Sequence, residues 1–251
     1  MKFLITPKQG PWVAVQDGVS REELRERILQ CDVSLTDLDD TLAPSPAERL
    51  AFNYLFGERG ANPKFLAWAM TTGLKLAAGK LGWTDLGDIK SEQWSRFVDK
   101  FLDSQESKKI KARFTPEYAA GTLFPGVKEL YSSLIERGVY KIGFTRNITE
   151  IARAYQQVLE LDLLSCRTPS KGNMILQVTY LHPELSRYLV FDDLYGGKDA
   201  KGILNVLEKA KRDERIEDVV SCQVRKSPRK LDDRFTVNIG RDYSGLVSLI
   251  D

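Results

Sequence analysis

Strand and helix signals alternate along most of this chain, and that alternation restricts its fold more than any other feature of the sequence. Before residue 43, a β-prone run at 11–17 is followed by a helix at 21–30 and by a strand that begins at Val33. After residue 121 the alternation resumes, with strands at 139–144, 188–191, 218–224 and 235–239 and helices at 127–137, 148–161, 199–211 and 243–250. Residues 171–180 suit either type. This pattern predicts an α/β fold, a Rossmann-like parallel sheet with helices on both faces.

A helical block interrupts the alternation between residues 43 and 121. Helix signals dominate there, at 46–56, 63–80 and 91–102 and from Thr115 onward. We therefore expect a core made of residues 1–42 and 122–251, and an all-helical cap of residues 43–121 inserted after the first strand of the sheet. The pattern leaves the role of residues 1–30 open: they extend the sheet with an edge strand and a helix, or they cover the hinge of the cap.

Polar residues stand at the ends of three predicted strands. They are Asp37, Asp39 and Thr41 after the first, Thr145, Arg146 and Asn147 after the second, and Asp192 and Asp193 after the third. Ligands of open α/β sheets bind beside the carboxyl ends of the strands, so we expect all three groups on one edge. The first motif, with Asp40, crowds three carboxylates into four residues. Such crowding is tolerated when the groups are solvated, when one is protonated or when a cation lies among them.

The composition excludes several kinds of active site. His182 is the only histidine, which excludes a multi-histidine metal site and leaves one imidazole for a Ser-His-Asp triad; it precedes Pro183 in a predicted loop, where we expect it to be structural or solvated. Any enzymatic activity must then come from carboxylates, lysine and hydroxyl groups. The three cysteines are far apart and form no CxxC motif, which argues against a disulfide framework or a zinc site and favours a reducing, cytoplasmic compartment. They are Cys31, Cys166 and Cys222.

The charge and hydropathy of the chain argue against two kinds of partner. The 37 basic and 35 acidic residues leave a net charge of +2, which gives no global reason to expect nucleic acid or an anionic membrane. The most apolar stretch, residues 65–83, is interrupted by Lys75 and Lys80, so no segment qualifies as a transmembrane helix. We therefore expect neither nucleic acid nor a membrane as a partner. The sequence leaves open whether the protein is a monomer or a homodimer.

The polar strand ends resemble the signatures of a known family, the haloacid-dehalogenase-like (HAD-like) hydrolases. In chain order, the four signatures resemble Asp37-x-Asp39-x-Thr41, the strand end at Thr145, Lys171, and the two-aspartate motif Val190-Phe191-Asp192-Asp193. Arg167 is an alternative to Lys171 for the third signature. The order and the approximate spacing agree with the family, and the helical block stands where members with an inserted helical cap carry it.

The resemblance implies phosphoryl transfer by way of an aspartyl phosphate. Asp37 would attack phosphorus, and Asp39 would protonate the leaving alcohol and then activate the hydrolytic water. Thr145 would donate a hydrogen bond to the phosphoryl group, and Lys171 would offset its negative charge. Substrate binding is assigned to Thr145, Arg146, Asn147 and Lys171.

The same resemblance implies a Mg²⁺ ion beside Asp37. The ligands would be Asp37, the backbone carbonyl of Asp39, and one or both of Asp192 and Asp193. These are oxygen ligands of the kind that Mg²⁺ prefers. The ion would also relieve the repulsion among the acidic groups.

Asp39 separates the subclasses of this family. Dehalogenases lack an aspartate at that position, because a halide leaves without a proton, so Asp39 favours phosphate esters. We therefore predict a Mg²⁺-dependent phosphatase that acts on a small phosphorylated metabolite. The alternatives are a phosphotransferase or phosphomutase that uses the same aspartyl phosphate, and a non-catalytic binding module with this fold. The sequence does not identify the substrate.

Other residues near these motifs have structural interpretations. Asp40 is predicted to cap a turn, and Thr41 to stabilise that turn through its hydroxyl group. Asp199 either completes the metal site or caps the next helix. Ser34 and Thr36 make the first strand more polar than the resemblance leads us to expect.

Overall fold

An eight-stranded, mostly parallel sheet forms the centre of this protein. The computed structural model describes residues 1–8, 10–45, 63–80, 112, 114–145, 147, 149–166, 171–193, 198–229 and 231–251. The strands are β1 (Lys2–Ile5), β2 (Val13–Val15), β3 (Val33–Asp37), β4 (Tyr140–Phe144), β5 (Leu163–Ser165), β6 (Arg187–Asp192), β7 (Asp218–Arg225) and β8 (Val237–Gly240). They are arranged in the order β1-β2-β8-β7-β6-β3-β4-β5. Strands β3 to β8 are parallel, and β1 and β2 continue the sheet in antiparallel pairing beside β8.

Eight helices accompany the sheet in the described part of the chain. They are α1 (Arg21–Leu29), α2 (Pro63–Lys80), α3 (Pro116–Thr122), α4 (Val127–Glu136), α5 (Thr149–Leu159), α6 (Lys171–Leu181), α7 (Lys198–Arg212) and α8 (Ser244–Ile250). Ser20 begins α1, because its hydroxyl accepts a hydrogen bond from the backbone N–H of Glu23 at 3.0 Å. Thr115 begins α3 in the same way, through the N–H of Tyr118 at 3.3 Å.

Buried side chains form two hydrophobic clusters, one on each face of the sheet. In β6, Leu189 and Phe191 belong to the larger cluster and Tyr188 and Val190 to the smaller, because alternate residues of a strand point to opposite faces. Helices α1, α4, α5 and α8 contribute to the larger cluster, and α6 and α7 to the smaller. Helices therefore cover both faces, and the predicted fold class is confirmed.

The segment at 171–180, which suits either type by its pattern, is helix α6. Met174, Ile175 and Val178 lie together in the smaller cluster, which is the spacing of one helix face. The sequence pattern does not predict β1 or β5. These edge strands have four and three residues, and pairing with β2 and β4 forms them rather than a pattern of their own.

Residues 1–30 extend the sheet, which settles the role that the pattern left open. β1 and β2 form its antiparallel edge. Helix α1 buries Leu24 and Ile28 in the larger cluster and packs against α8. This part of the chain therefore belongs to the sheet and its cover.

Part of the predicted cap lies within the described residues. Helix α2 has the predicted bounds, and its Trp68 packs against the larger cluster. Helix α3 packs against α5. The helices predicted at 46–56 and 91–102, with Trp83 and Trp94, lie outside the described residues, and the division into core and cap stays a prediction. Among the helices that are described, none combines the length and apolar character needed to cross a membrane.

The polar side chains inside β3 are paired with one another and with a buried tyrosine. Ser34 and Thr36 are fully buried, and their hydroxyl oxygens lie 3.2 Å apart. The hydroxyl of Tyr131 on α4 donates to Thr36 at 2.8 Å. Burial raises the pKa of Tyr131, so its hydroxyl remains a donor. The unexpected polarity of β3 is therefore a satisfied hydrogen-bond chain beneath the site.

Candidate active site

The site lies where the strand order changes direction. The chain proceeds from β3 to β4 and β5 on one side, and then returns to β6, β7 and β8 on the other side of β3. A crevice opens at such a point, outside the carboxyl ends of the strands. Asp37 ends β3, Thr145 follows β4 and Asp192 ends β6. The polar ends of three separate strands therefore meet at one place, as predicted.

Three carboxylates form an acidic group in this crevice. One oxygen each from Asp37, Asp192 and Asp193 lies within 4.8 Å of the others. Asp37 and Asp192 are buried, and Asp193 is half-buried. Burial raises the pKa of Asp193 well above its usual value, and the charges of Asp37 and Asp192 raise it further. We call these three residues the acidic group. Their negative charges repel one another, and a cation among them would reduce that repulsion.

Lys171 lies against this acidic group from the first residue of α6. Its Nζ is 3.0 Å from Asp37 Oδ2 and 2.9 Å from Asp192 Oδ2. Burial would lower the pKa of the ammonium group, but the carboxylates of Asp192, Asp37 and Asp193 outweigh it, and the pKa is raised. Lys171 is therefore charged at any physiological pH. Arg167, its alternative from the sequence, lies outside the described residues.

The acidic group suits a divalent cation. Its three carboxylates face one ammonium group, which leaves an excess of negative charge when all are ionised. Every ligand that it offers is a carboxylate oxygen, the type preferred by Mg²⁺. The residues present therefore fit the ion that the resemblance implies.

Asp39 faces different partners from Asp37, although only one residue separates them. The hydroxyl of Thr145 donates to Asp39 Oδ2 at 2.8 Å, and Asn147 Nδ2 donates to Oδ1 at 3.2 Å. The backbone N–H of Asn147 donates in turn to the hydroxyl of Thr145 at 3.0 Å. Burial raises the pKa of Asp39 to about 7, and the charge of Asp37 adds to the shift while the two hydrogen bonds oppose it. A carboxyl group with this pKa both gives and takes a proton near neutrality.

The loop after β3 is tight. The N–H groups of Leu42 and Ala43 both donate to the carbonyl of Leu38, at 3.0 and 3.3 Å. This brings Thr41 back over the strand end, where its hydroxyl donates to Asp37 Oδ2 at 3.4 Å. The loop thus orients Asp37 from one side while Lys171 holds it from the other.

Asp40 has the capping contact that the sequence predicts, and a second contact that it does not. Its Oδ1 accepts from the N–H of Ser45 at 3.4 Å and from Arg241 Nη2 at 2.7 Å. Arg241 follows β8, at the same edge of the sheet as the other site residues. A polar residue directly after a strand is the signal that would have drawn attention to it.

Two predicted residues are not placed at the site. Arg146 lies outside the described residues, and so does the side chain of Asp199. Their predicted roles stay predictions. His182 lies outside the site, where its Nδ1 is 3.1 Å from Glu184 Oε1.

Comparison with known proteins identifies the fold. No protein-family model matches the chain, and no curated protein matches it. Among solved structures, DsGPDH of Dunaliella salina superposes with a TM-score of 0.58 at 16% identity, over 91% of this chain and 37% of that one. Cytosolic 5'-nucleotidase IIIB bound to cytidine superposes with a TM-score of 0.59 at 13% identity, over 95% and 93%. A probable phosphoserine phosphatase from Vibrio cholerae gives 0.53 at 10% identity, over 89% and 65%.

These similarities, together with the sheet order and the site, define the class of fold. The chain has the α/β fold of the HAD-like hydrolases, as its motifs predict. It spans 37% of DsGPDH and 65% of the probable phosphoserine phosphatase, but nearly the whole of the nucleotidase.

Proposed function

We propose that this protein is a Mg²⁺-dependent phosphatase that hydrolyses a small phosphorylated metabolite through an aspartyl phosphate. The observation that carries the proposal is the different surroundings of two aspartates in one motif. Asp37 lies beside Lys171 in the acidic group, whereas Asp39 is hydrogen-bonded to Thr145 and Asn147. Phosphoryl transfer in two steps needs this division, because one carboxylate must attack while another handles the proton.

Asp37 is the nucleophile of the first step. One of its carboxylate oxygens would bond to phosphorus while the bond between phosphorus and the ester oxygen breaks. Lys171, whose Nζ is 3.0 Å from Asp37 Oδ2, would place positive charge beside the phosphoryl oxygens. A Mg²⁺ ion held by the acidic group and the backbone carbonyl of Asp39 would supply further positive charge there.

Asp39 is the general acid and then the general base. It would give its proton to the ester oxygen, which leaves as an alcohol. The resulting carboxylate would take a proton from the water whose oxygen attacks phosphorus, and the bond between Asp37 and phosphorus then breaks to release phosphate. Asp39 thus ends the cycle protonated, as it began. Hydrogen bonds from Thr145 and Asn147 support one orientation of its carboxyl group for both transfers.

Side chains at the ends of the strands and the predicted cap would bind the substrate. Thr145, Arg146 and Asn147 would contact the substrate with Lys171, as the resemblance implies. The predicted cap at 43–121 would close over the site and select the substrate. The three cysteines are odd in number, far apart and without a CxxC motif, and this pattern favours a reducing, cytoplasmic compartment.

Phosphate esters are favoured over carbon–halogen bonds as substrates. The leaving alcohol of a phosphate ester needs a proton. Asp39, which is oriented by hydrogen bonds from Thr145 and Asn147, would supply that proton. Two of the similar structures are named as a 5'-nucleotidase and a probable phosphoserine phosphatase, which agrees with this choice.

The test is hydrolysis of p-nitrophenyl phosphate with Mg²⁺ or with EDTA. We expect Mg²⁺-dependent activity in the wild type and none in Asp37→Asn. The control is Asp233→Asn, which should keep full activity because Asp233 is exposed and lies in the loop before β8. Activity that survives chelation or the Asp37→Asn substitution would contradict the mechanism. Phosphate release from a sugar bisphosphate only when a sugar acceptor is present would instead indicate a phosphomutase. Beryllofluoride bound to a residue other than Asp37 would refute the choice of nucleophile.

A further inference from the structure

Asp40 adopts a backbone conformation that disfavours most residues. Its φ angle is 60°, in the left-handed region. A residue with a side chain is less stable there than glycine by roughly 1–2 kcal/mol, although aspartate tolerates the region better than most. Asp40 follows Asp39 directly, so the conformation of one determines where the other points. Some contact must hold Asp40 in this state.

Among the described residues, three contacts hold Asp40. Its backbone N–H donates to the carbonyl of Ala43 at 2.7 Å, and the N–H of Ser45 donates to its Oδ1 at 3.4 Å. The third contact, which is charged, comes from Arg241. Its Nη2 donates to Asp40 Oδ1 at 2.7 Å, within the range of a charge-assisted hydrogen bond. Its side chain is 21% exposed and that of Asp40 34%, so solvent reaches the pair only in part. The Arg241 guanidinium also lies 5.2 Å from the centre of the Phe124 ring, close enough for a cation–π interaction.

The turn that contains Arg241 joins two distant segments of the chain. The hydroxyl of Tyr243 donates to the carbonyl of Thr41 at 3.0 Å, and the N–H of Tyr243 donates to the carbonyl of Pro125 at 2.7 Å. Those two segments also bond directly, from the N–H of Phe124 to the carbonyl of Leu42 at 2.8 Å. The turn therefore binds the chain just before and just after residues 43–121, next to the loop that follows β3.

We propose that Arg241 is a positioning residue of this site, which acts through Asp40 to hold the loop from Asp37 to Thr41 in its working conformation. The inference rests on the proposed phosphatase function for its kinetic consequence. Arg241 contacts Asp40, the residue directly after Asp39, and stabilises its left-handed backbone conformation. Without Arg241, the partly buried carboxylate of Asp40 loses its charged partner. The left-handed conformation of Asp40 is then less stable.

The test is a double-mutant cycle between Arg241→Met and Asp40→Gly. We expect Arg241→Met to lower kcat for p-nitrophenyl phosphate by roughly 10- to 100-fold, because small displacements of reacting groups have effects of that size. KM should change by less than kcat does. In the Asp40→Gly background, Arg241→Met should cost little, because glycine adopts a φ of 60° without strain and carries no charge. Arg241→Lys, which keeps the positive charge, should recover part of the loss.

A matched control separates positioning from general stability. Arg234 pairs with Asp232 at 2.6 Å in a loop of the same C-terminal region, and Arg234→Met should leave kcat unchanged. The proposal is overturned if Arg241→Met retains wild-type kcat, or if it costs the same with and without Asp40→Gly. It is equally overturned if Arg241→Met does not fold and Arg241→Lys folds with kcat unchanged.

A measurement without turnover distinguishes this inference from the proposed function. Amide ¹H–¹⁵N spectra of the free protein should show shifted or broadened signals for residues 37–42 in Arg241→Met, and near-normal signals for the same loop in Arg234→Met. Absence of phosphatase activity in the wild type would refute the proposed function, while these spectra would still test the positioning role. Unchanged loop signals in Arg241→Met would refute the positioning role even in an active enzyme.

Discussion

Asp37 and Asp39 illustrate how neighbouring residues of one type acquire different chemistry. Asp37 is the last residue of β3 and points to Lys171, while the loop turns Asp39 toward the end of β4. There Asp39 meets Thr145 and Asn147. The proposed nucleophile therefore has a cation beside it, and the proposed proton carrier has two neutral donors.

A change in leaving group should expose the role of Asp39. In Asp39→Asn the side chain keeps its shape but loses its proton, so we expect a loss of roughly 10²–10⁴-fold in kcat/KM with an alkyl phosphate. The loss should be much smaller with p-nitrophenyl phosphate, whose leaving phenolate needs little protonation. The measurement is steady-state kinetics on both esters. Equal losses on the two substrates would contradict the role of general acid.

Asp193 should destabilise the metal-free protein. Burial and the charges of Asp37 and Asp192 raise its folded-state pKa, so its cost to stability grows as pH rises from the unfolded value near 4 and is complete above the folded pKa. We therefore expect Asp193→Asn to raise Tm at pH 8 in EDTA, by about 2–4 °C for each kcal/mol gained, and to have little effect near pH 4.

Mg²⁺ should reverse that ranking. Mg²⁺ at the proposed site would stabilise the folded wild type and raise its Tm according to its affinity, whereas Asp193→Asn lacks one proposed ligand and should respond less. Thermal melts in EDTA and in a Mg²⁺ series check both parts. A variant that melts at the wild-type temperature in EDTA would contradict the repulsion at Asp193. A variant that gains as much from Mg²⁺ as the wild type would show that Asp193 is outside the metal site.

At the scale of elements, one ion pair ties α1 to the start of β7. Arg27 Nε and Nη2 donate to the two carboxylate oxygens of Asp218 at 2.7 and 2.8 Å, and Nη2 also donates to the carbonyl of Val219 at 2.8 Å. Partial burial would raise the pKa of Asp218, but its hydrogen bonds and the charge of Arg27 outweigh it, and the pKa is lowered. The pair joins the N-terminal helix to the parallel sheet.

The Arg27–Asp218 pair should stabilise the fold in a pH-dependent way. A lowered pKa contributes stability above the unfolded value near 4, and that contribution is lost as pH falls through the lower folded value. We expect Arg27→Met to reduce the free energy of unfolding by about 1 kcal/mol at pH 7, and by less at pH 3. Urea titrations at both pH values measure this. Arg25→Met, on the exposed side of the same helix, is the control, and an equal loss at pH 3 would contradict the assignment.

Helix α6 is the element whose assignment matters most for the site. The sequence of residues 171–180 suits a strand or a helix. In a strand, Lys171 would be part of the sheet itself rather than the first residue of a helix. As a helix it begins at Lys171 and packs Ile175 into the smaller cluster, which brings the ammonium group to the acidic group. Tertiary packing overrides the β-branched content of this segment.

At the scale of the whole molecule, the site and the antiparallel edge are far apart in the sheet. β1 is the edge strand, and β2, β8, β7 and β6 separate it from β3. β1 is attached by its pairing with β2, by the packing of Phe3 on Trp12 and by the ion pair between the N-terminus and Asp17. It therefore contributes to stability without supporting the site.

Removal of β1 should therefore lower stability and leave catalysis intact. We expect deletion of residues 2–6 to lower Tm by several degrees, because β2 loses its partner, while kcat for p-nitrophenyl phosphate stays within about twofold of wild type. Calorimetry and steady-state kinetics on the same preparation check this. A large fall in kcat with a retained fold would indicate that the antiparallel edge supports the site.

The sequence pattern was sufficient to predict the alternation of elements, the parallel sheet with helices on both faces, and the sheet edge where Asp37, Thr145 and Asp192 meet. Those features follow from hydrophobic periodicity and from the rule that ligands bind at the carboxyl ends of strands. The hydrogen bond from Thr145 to Asp39, the ion pair between Arg241 and Asp40, and the chain of hydroxyls beneath β3 join residues up to 201 positions apart. Strand order and loop geometry bring such partners together, and no local pattern encodes them.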